Sequence, residues 1–170
     1  MSGFLYRAAW SLAVPLAAPL AWGEGKLARA IRGRRDAARR MVEWGAVGRD
    51  RSRPLVWFHA ASVGEGRQAE VVIARLRSSR PTWQIAYTFG SASAERFAAG
   101  LPADFCGYIP LDTAGDTSRA LEAMAPAALV FSATAVCPEL VRQAGRRGVR
   151  LGLFSAPLAP MSAARFLTSS

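Results

Sequence analysis

The run His59-Ala60-Ala61-Ser62-Val63-Gly64-Glu65-Gly66 gathers chemistry-bearing residues into one short stretch. It follows the apolar run Leu55-Val56-Trp57-Phe58 and precedes Ala69, Val72, Ile73 and Leu76 at helical spacing, so it reads as a loop from a strand into a helix. Three chemistries fit it. Ser62-x-x-Glu65 is a capping-box pattern, in which the Ser62 hydroxyl accepts from the Glu65 amide and the Glu65 carboxylate reaches back. Gly64-x-Gly66-x-x-Ala69 matches the glycine pattern that lets a backbone approach a dinucleotide pyrophosphate. That pattern wants an acidic residue about 20 positions on, at the end of the second strand, and no Asp or Glu lies between Glu70 and Glu95. The third is general-base chemistry: a carboxylate just beyond a strand end, near helix N-terminal amides, can take a proton from an attacking hydroxyl.

The elements that must position this loop alternate in type. Residues 55–60, 82–88, 105–109, 127–132 and 149–155 read as short buried strands. Between them, residues 66–79, 92–99, 115–124 and 138–147 read as helices, with Pro126 ending the third and Pro138 opening the fourth, which Gly148 closes. Alternation of this kind predicts an α/β fold: a Rossmann-like, doubly wound parallel sheet with helices on both faces. Ligands of such sheets bind beyond the C-terminal strand ends, so the loops at 59–66, 88–94, 110–113, 132–137 and 155–162 are the places to look.

Before residue 54 the sequence changes character. Residues 1–53 carry eleven Lys/Arg against four Asp/Glu, a net of +7 out of +10 for the whole 170-residue chain. Residues 4–22 are apolar except for Arg7, and residues 8–23 carry no charge. Such a stretch is somewhat short of a ~30 Å hydrocarbon core, with Pro15 and Pro19 inside it and Trp10 and Trp22 near its ends. Residues 1–25 are expected to be a membrane anchor, with a cleaved signal peptide and a core helix as the alternatives. Residues 26–53 are expected to hold a basic amphipathic helix over 26–44 and a linker, with Leu27, Ile31, Ala38, Met41 and Val42 on the apolar side and Gly33 weakening the helix. Seven basic residues between Lys26 and Arg40 suit anionic headgroups and keep this side in the cytoplasm. No nucleic-acid motif with interleaved aromatics follows. Cys106 and Cys137 fit no metal spacing and suit a reducing compartment.

The segment Trp57 to Glu65 resembles the W-x-H-A-x-S-V-G-E segment of the Kdo (3-deoxy-octulosonate) transferases, which attach Kdo to a lipid A precursor. Tyr87-Thr88 through Ser91-Ala92-Ser93-Ala94-Glu95-Arg96 resembles the family's T-x-T-P-T-G-x-E-R loop, Tyr108-Ile109-Pro110-Leu111-Asp112 its Y-x-P-x-D, and Cys137-Pro138-Glu139-Leu140 its W-P-N-L. The resemblance implies the N-terminal, acceptor-side half of a GT-B glycosyltransferase at the cytoplasmic face of the inner membrane. It also implies Glu65 as general base and Ser62, Gly64, Thr88, Ser91 and Ser93 on the acceptor side. The acceptor would be a lipid A-type glycolipid, with no metal and no cofactor in the step. His59 matches a family His but reads as structural.

Residues 54–170 would then be a Rossmann-like acceptor domain, truncated at its C-terminal end, and the donor CMP-Kdo would bind only with a second, C-terminal domain. Ala133-Thr134-Ala135 stands where the family has E-T-E, and Ser155-Ala156-Pro157 where it has N-A-R. Two functions from different classes follow. One is the enzyme, a transferase half inactive on its own. The other is a non-catalytic, membrane-bound module that keeps the acceptor site and has lost the chemistry.

Overall fold

The computed structural model describes residues 23–132 and 134–154. The expected anchor at 4–22 and the loop after the fifth strand lie outside them, and no helix of the described residues is long and apolar enough to cross a membrane. The elements are α1 (Lys26–Val47), β1 (Leu55–His59), α2 (Val63–Ser79), β2 (Gln84–Phe89), a single 3-10 turn (Ala92–Ala94), α3 (Glu95–Ala98), β3 (Phe105–Tyr108), α4 (Ala114–Met124), β4 (Ala128–Ser132), α5 (Pro138–Arg146) and β5 (Arg150–Phe154). All strand pairs are parallel and the order is β3-β2-β1-β4-β5. The chain steps outward from β1 to β3, then crosses back to place β4 on the other side of β1. That reversal makes the β1/β4 boundary the topological switch point, where the ends of neighbouring loops part into a crevice.

Two apolar layers hold the sheet. On one face Ala69 and Ile73 of α2, with Phe97 of α3, pack on Val56, Phe58, Ile85 and Tyr87. On the other, Leu121 and Met124 of α4 and Leu140 and Ala144 of α5 pack on Leu55, Trp57, Leu129 and Phe131. β1 and β2 are buried along their whole length, as strands covered on both faces must be. The edge strand β5 is not, and leaves Leu151 47% and Leu153 50% exposed.

The helix ends follow local chemistry. Thr113 caps α4, accepting from the Asp116 amide at 3.1 Å. Ala125 closes that helix in the left-handed region at φ 40, just before Pro126, which cannot continue a helix. Gly148 takes φ 71 after α5.

α1 differs from the expected helix in two ways. It runs to Val47 without a break at Gly33, because Gly33 is where the helix crosses the edge strand β3: a Cβ there would lie 2.3 Å from Tyr108 Cδ2. Its buried stripe is Ala28, Ala37, Ala38 and Met41, whereas Leu27 and Val42, expected inside, are 63% and 44% exposed. Small residues face the sheet because the helix lies close to it. Val72 of α2, also expected inside, is 41% exposed, and α2 starts earlier than expected, at Val63. The C-terminal end of α1 is tied to the sheet by Arg49, which donates to the Met124 carbonyl at 2.8 Å and to Gln84 Oε1 at 2.7 Å.

Candidate functional site

Glu65 stands at the switch point, in the first turn of α2. The capping box forms in both directions: Ser62 Oγ accepts from the Glu65 amide at 3.4 Å, and Glu65 Oε2 accepts from the Ser62 amide at 3.3 Å. A stronger bond comes from one residue earlier, where the Ala61 amide donates to Oε2 at 2.7 Å. The second carboxylate oxygen points away from the loop. Oε1 accepts a short hydrogen bond from the Thr134 hydroxyl, which belongs to the loop after β4. The carboxylate therefore bridges the two loops that part at the β1/β4 boundary, and its side chain is only partly buried. The two oxygens have different partners: Oε2 holds the Ala61–Ser62 turn and Oε1 meets the Thr134 hydroxyl across the β1/β4 boundary.

This geometry also decides the glycine pattern. The Ala61 and Ser62 amides that would cradle a phosphate are already taken by Glu65. Gly66 has a packing reason, since a Cβ there would sit 2.5 Å from Phe97 Cε1 and 2.6 Å from the Tyr87 hydroxyl. The loop is built for a resident carboxylate, not for a pyrophosphate.

The other expected site residues separate into two groups. Ser62, Gly64, Ser91 and Ser93 lie at the rim. Ser62, Gly64 and Ser93 are exposed, and nothing lies within 4 Å of a Cβ built on Gly64. Ser91 caps the 3-10 turn, accepting from the Ser93 amide at 3.3 Å, and the two hydroxyls bond each other. The Gly90 amide donates to the Ala61 carbonyl at 3.3 Å, which brings this rim beside the Glu65 loop. Thr88 lies beneath, fully buried: its hydroxyl accepts from the Trp57 indole at 2.9 Å and donates to the Phe58 carbonyl at 3.3 Å. It supports the rim from inside the sheet.

His59 ends β1 and is 2% exposed, its ring edge-on to Phe131 at 6.0 Å. Its Nδ1 lies 3.0 Å from the Thr88 carbonyl, so the Nδ1–H tautomer donates there. Burial pushes its pKa down to about 4, so at neutral pH the ring is uncharged. Cys137 precedes α5, and burial pushes its thiol up to about 12, which leaves it unreactive as a nucleophile. Asp112 closes the floor: its two oxygens accept from the α5 amides of Glu139 at 3.0 Å and Leu140 at 2.9 Å. Glu139, where the family pattern has Asn, is 2% exposed and paired with Arg142. Among the described residues, no three His, Cys, Asp or Glu side chains gather as a metal site would need. Sequence reasoning missed Thr134 as a partner of Glu65; its place in the family's E-T-E segment was the available signal.

A doubly wound parallel sheet with a carboxylate held at its switch point defines a Rossmann-like α/β domain. A family model described as 3-deoxy-D-manno-octulosonic-acid transferase (kdotransferase) matches residues 35–169. The chain is 30% identical over 117 residues to the 3-deoxy-D-manno-octulosonic acid transferase of Chlamydia muridarum, covering 66% of this chain and 27% of that protein. It is also 30% identical over 117 residues to the one of Chlamydia trachomatis serovar D, and 29% identical over 116 residues to the one of Chlamydophila psittaci. The chain belongs to the Kdo transferase family, a family of glycosyltransferases, and the match lies in its N-terminal glycosyltransferase domain. It spans about a quarter of the length of these relatives, 27%.

Proposed function

We propose that this chain is the acceptor-side half of a Kdo transferase and that Glu65 is its general base. The acceptor is a lipid A-type glycolipid whose sugar hydroxyl lies over the β1/β4 crevice. The Glu65 carboxylate takes the hydroxyl proton while the oxygen bonds to the anomeric carbon of Kdo. The bond from that carbon to the phosphate oxygen of CMP-Kdo breaks, and CMP leaves with the electron pair. The donor is held by a second domain, so the chain alone transfers nothing. Ser62, Gly64, Ser91 and Ser93 border the acceptor, and Thr88 positions that border from below.

The observation that carries this reading is the division of labour on Glu65. Oε2 is fixed by the Ala61 amide at 2.7 Å, which leaves Oε1 turned to the β1/β4 boundary with the Thr134 hydroxyl as its one partner among the described residues. A held carboxylate needs little reorganisation to accept a proton. The exposed side of α1, with Lys26, Arg29, Arg32, Arg35, Arg39 and Arg40, supports a seat on an anionic membrane surface. We place the protein on the cytoplasmic face of the inner membrane, held there with the help of the apolar residues 4–22.

A second reading has its own support. Ala135 is buried and uncharged where the family pattern has Glu, and the same pattern's charges are missing at Ala133 and Pro157. A chain that kept the acceptor site without these charges would bind a glycolipid and do no chemistry. Joining this domain to the donor domain of a close relative separates the two. Transfer from CMP-Kdo to a lipid A precursor, followed by product mass, establishes the enzyme. A folded fusion that binds the acceptor and forms no product, even with Ala133→Glu, Ala135→Glu and Pro157→Arg together, establishes the binding module.

A further inference from the structure

The rim that carries Ser91 and Ser93 is too short to hold itself in place. It is a single 3-10 turn, Ala92–Ala94, followed by α3, which is only Glu95–Ala98. Elements of this length do not persist in water on their own hydrogen bonds, so packing and side-chain bonds must fix them. On the side of β1 the Gly90 amide donates to the Ala61 carbonyl at 3.3 Å. Underneath, Ala94 is fully buried. The outer side is held through Glu95, the residue that joins the turn to α3.

Glu95 meets two other elements. Its Oε1 accepts a short hydrogen bond from the Tyr108 hydroxyl at the end of β3. Its Oε2 lies 3.7 Å from Nη1 of Arg29 in α1. The two links are unequal. The Arg29 and Glu95 side chains are 61% and 37% exposed, and solvent screens such a pair. Tyr108 is buried, its ring wedged between Gly33 of α1 and Phe89, whose ring centroid is 4.6 Å away. Burial raises its pKa above the ordinary tyrosine range and the bond to Glu95 adds to that, so the hydroxyl keeps its proton and donates. A fixed donor aimed at a carboxylate makes the stronger kind of hydrogen bond. Glu95 is thereby pinned to the end of β3. The Ser91 and Ser93 hydroxyls, which bond each other, lie just before it in the chain.

We infer that Glu95 is a positioning residue of the crevice rim: its bond to Tyr108 sets the place of the Ser91 and Ser93 hydroxyls beside the Glu65 loop. Glu95 acts through these hydroxyls and takes no part in proton transfer. This deepens the transferase reading, and it rests on that reading only for what the rim holds, the sugar hydroxyls of the acceptor.

Backbone hydrogen exchange, read by nitrogen-15 NMR on the full 170-residue chain in detergent micelles, follows the rim directly. In Glu95→Ala the Gly90, Ser93 and Ala94 amides should exchange about tenfold faster than in the wild type, with the core amides of Ile73 and Ile85 unchanged. Tyr108→Phe keeps the ring and should give the same pattern, which covers the case of a Glu95→Ala chain that does not fold. Arg29→Ala should change the rim by less than about twofold, as a screened pair would. Glu95→Gln, whose side-chain oxygen can still accept from Tyr108, should return most of the way to wild type. The same chains are titrated with a lipid A precursor in the micelles, and Kd should rise about tenfold in Glu95→Ala and recover in Glu95→Gln. Rim amides that keep the wild-type rate, or core amides that speed up with them, overturn the inference. So does undiminished precursor affinity in Glu95→Ala, or no recovery in Glu95→Gln. A wild type that binds no precursor contradicts the transferase reading instead, and the exchange pattern alone then decides the role of Glu95.

Discussion

Replacing Gly33 with alanine tests how α1 is fixed to the sheet. The added Cβ would lie 2.3 Å from Tyr108 Cδ2, 2.4 Å from Cε2 and 2.8 Å from Cγ, against the 3.5–4.0 Å of ordinary carbon contact. The ring has little room to give. Its hydroxyl bonds Glu95, and its other side rests on Phe89 with centroids 4.6 Å apart. Overpacking of this kind costs about 1–3 kcal/mol, and losing the Glu95 bond adds about 1 kcal/mol. Alanine's better helix propensity returns about 1 kcal/mol. The net is a loss of about 2 kcal/mol, or a Tm lower by roughly 4–8 °C for a chain of this size. Gly115→Ala is the control, since nothing lies within 4 Å of its Cβ in α4, and it should gain about 0.5–1 kcal/mol. Urea unfolding at unchanged m-value gives both numbers. A Gly33→Ala protein as stable as the wild type would refute the close approach of α1 to β3.

Two further outcomes follow from burial and charge. His59 is the single histidine, and burial holds its folded pKa near 4, below the unfolded value of about 6.5. The unfolded chain therefore binds this proton more readily. The His59 contribution is complete above pH 6.5 and is lost as pH falls toward 4, about 3 kcal/mol in all. The ring C–H signals in NMR should stay unshifted between pH 7.5 and 5; a midpoint near 6.5 would show that the ring is solvated. Deleting residues 1–25 should move the protein from the membrane pellet to the supernatant in a fractionated cell lysate, and equal retention in the pellet would contradict the anchor.

The alternation of strands and helices was legible because each apolar run is short and bounded by Gly, Pro or charge, as at Pro54, Pro126 and Gly148. Sheet order was not, because the pairing of β1 with β4 joins Val56 to Ala128 across most of the domain. Leu27 and Val42 were misplaced because helical periodicity rewards large apolar residues, whereas close packing at β3 selects Gly33, Ala37 and Ala38 instead. The short helix expected at 92–99 is a 3-10 turn followed by one α turn, with Ser91 accepting from the Ser93 amide at its start. In the site, Glu65 and its cap could be read from four consecutive residues. Thr134, 69 positions away, could not. Thr88 was grouped with the rim by its motif, although a strand residue between Trp57 and His59 of the neighbouring strand has its hydroxyl occupied inside.

The assignment of Glu65 as general base rests on its charge rather than its capping role, and Glu65→Gln divides the two. Glutamine keeps the size, its carbonyl oxygen can accept from the Ala61 and Ser62 amides, and its amide can donate to the Thr134 hydroxyl. Stability should therefore fall by at most about 1 kcal/mol. The decisive measurement is the Kdo transfer rate of wild type and Glu65→Gln, side by side, with the domain joined to a relative's donor half. The account predicts a fall of roughly 10²–10⁴ at near-constant Tm. An unchanged rate with a clearly lower Tm would reduce Glu65 to a helix cap and contradict the account.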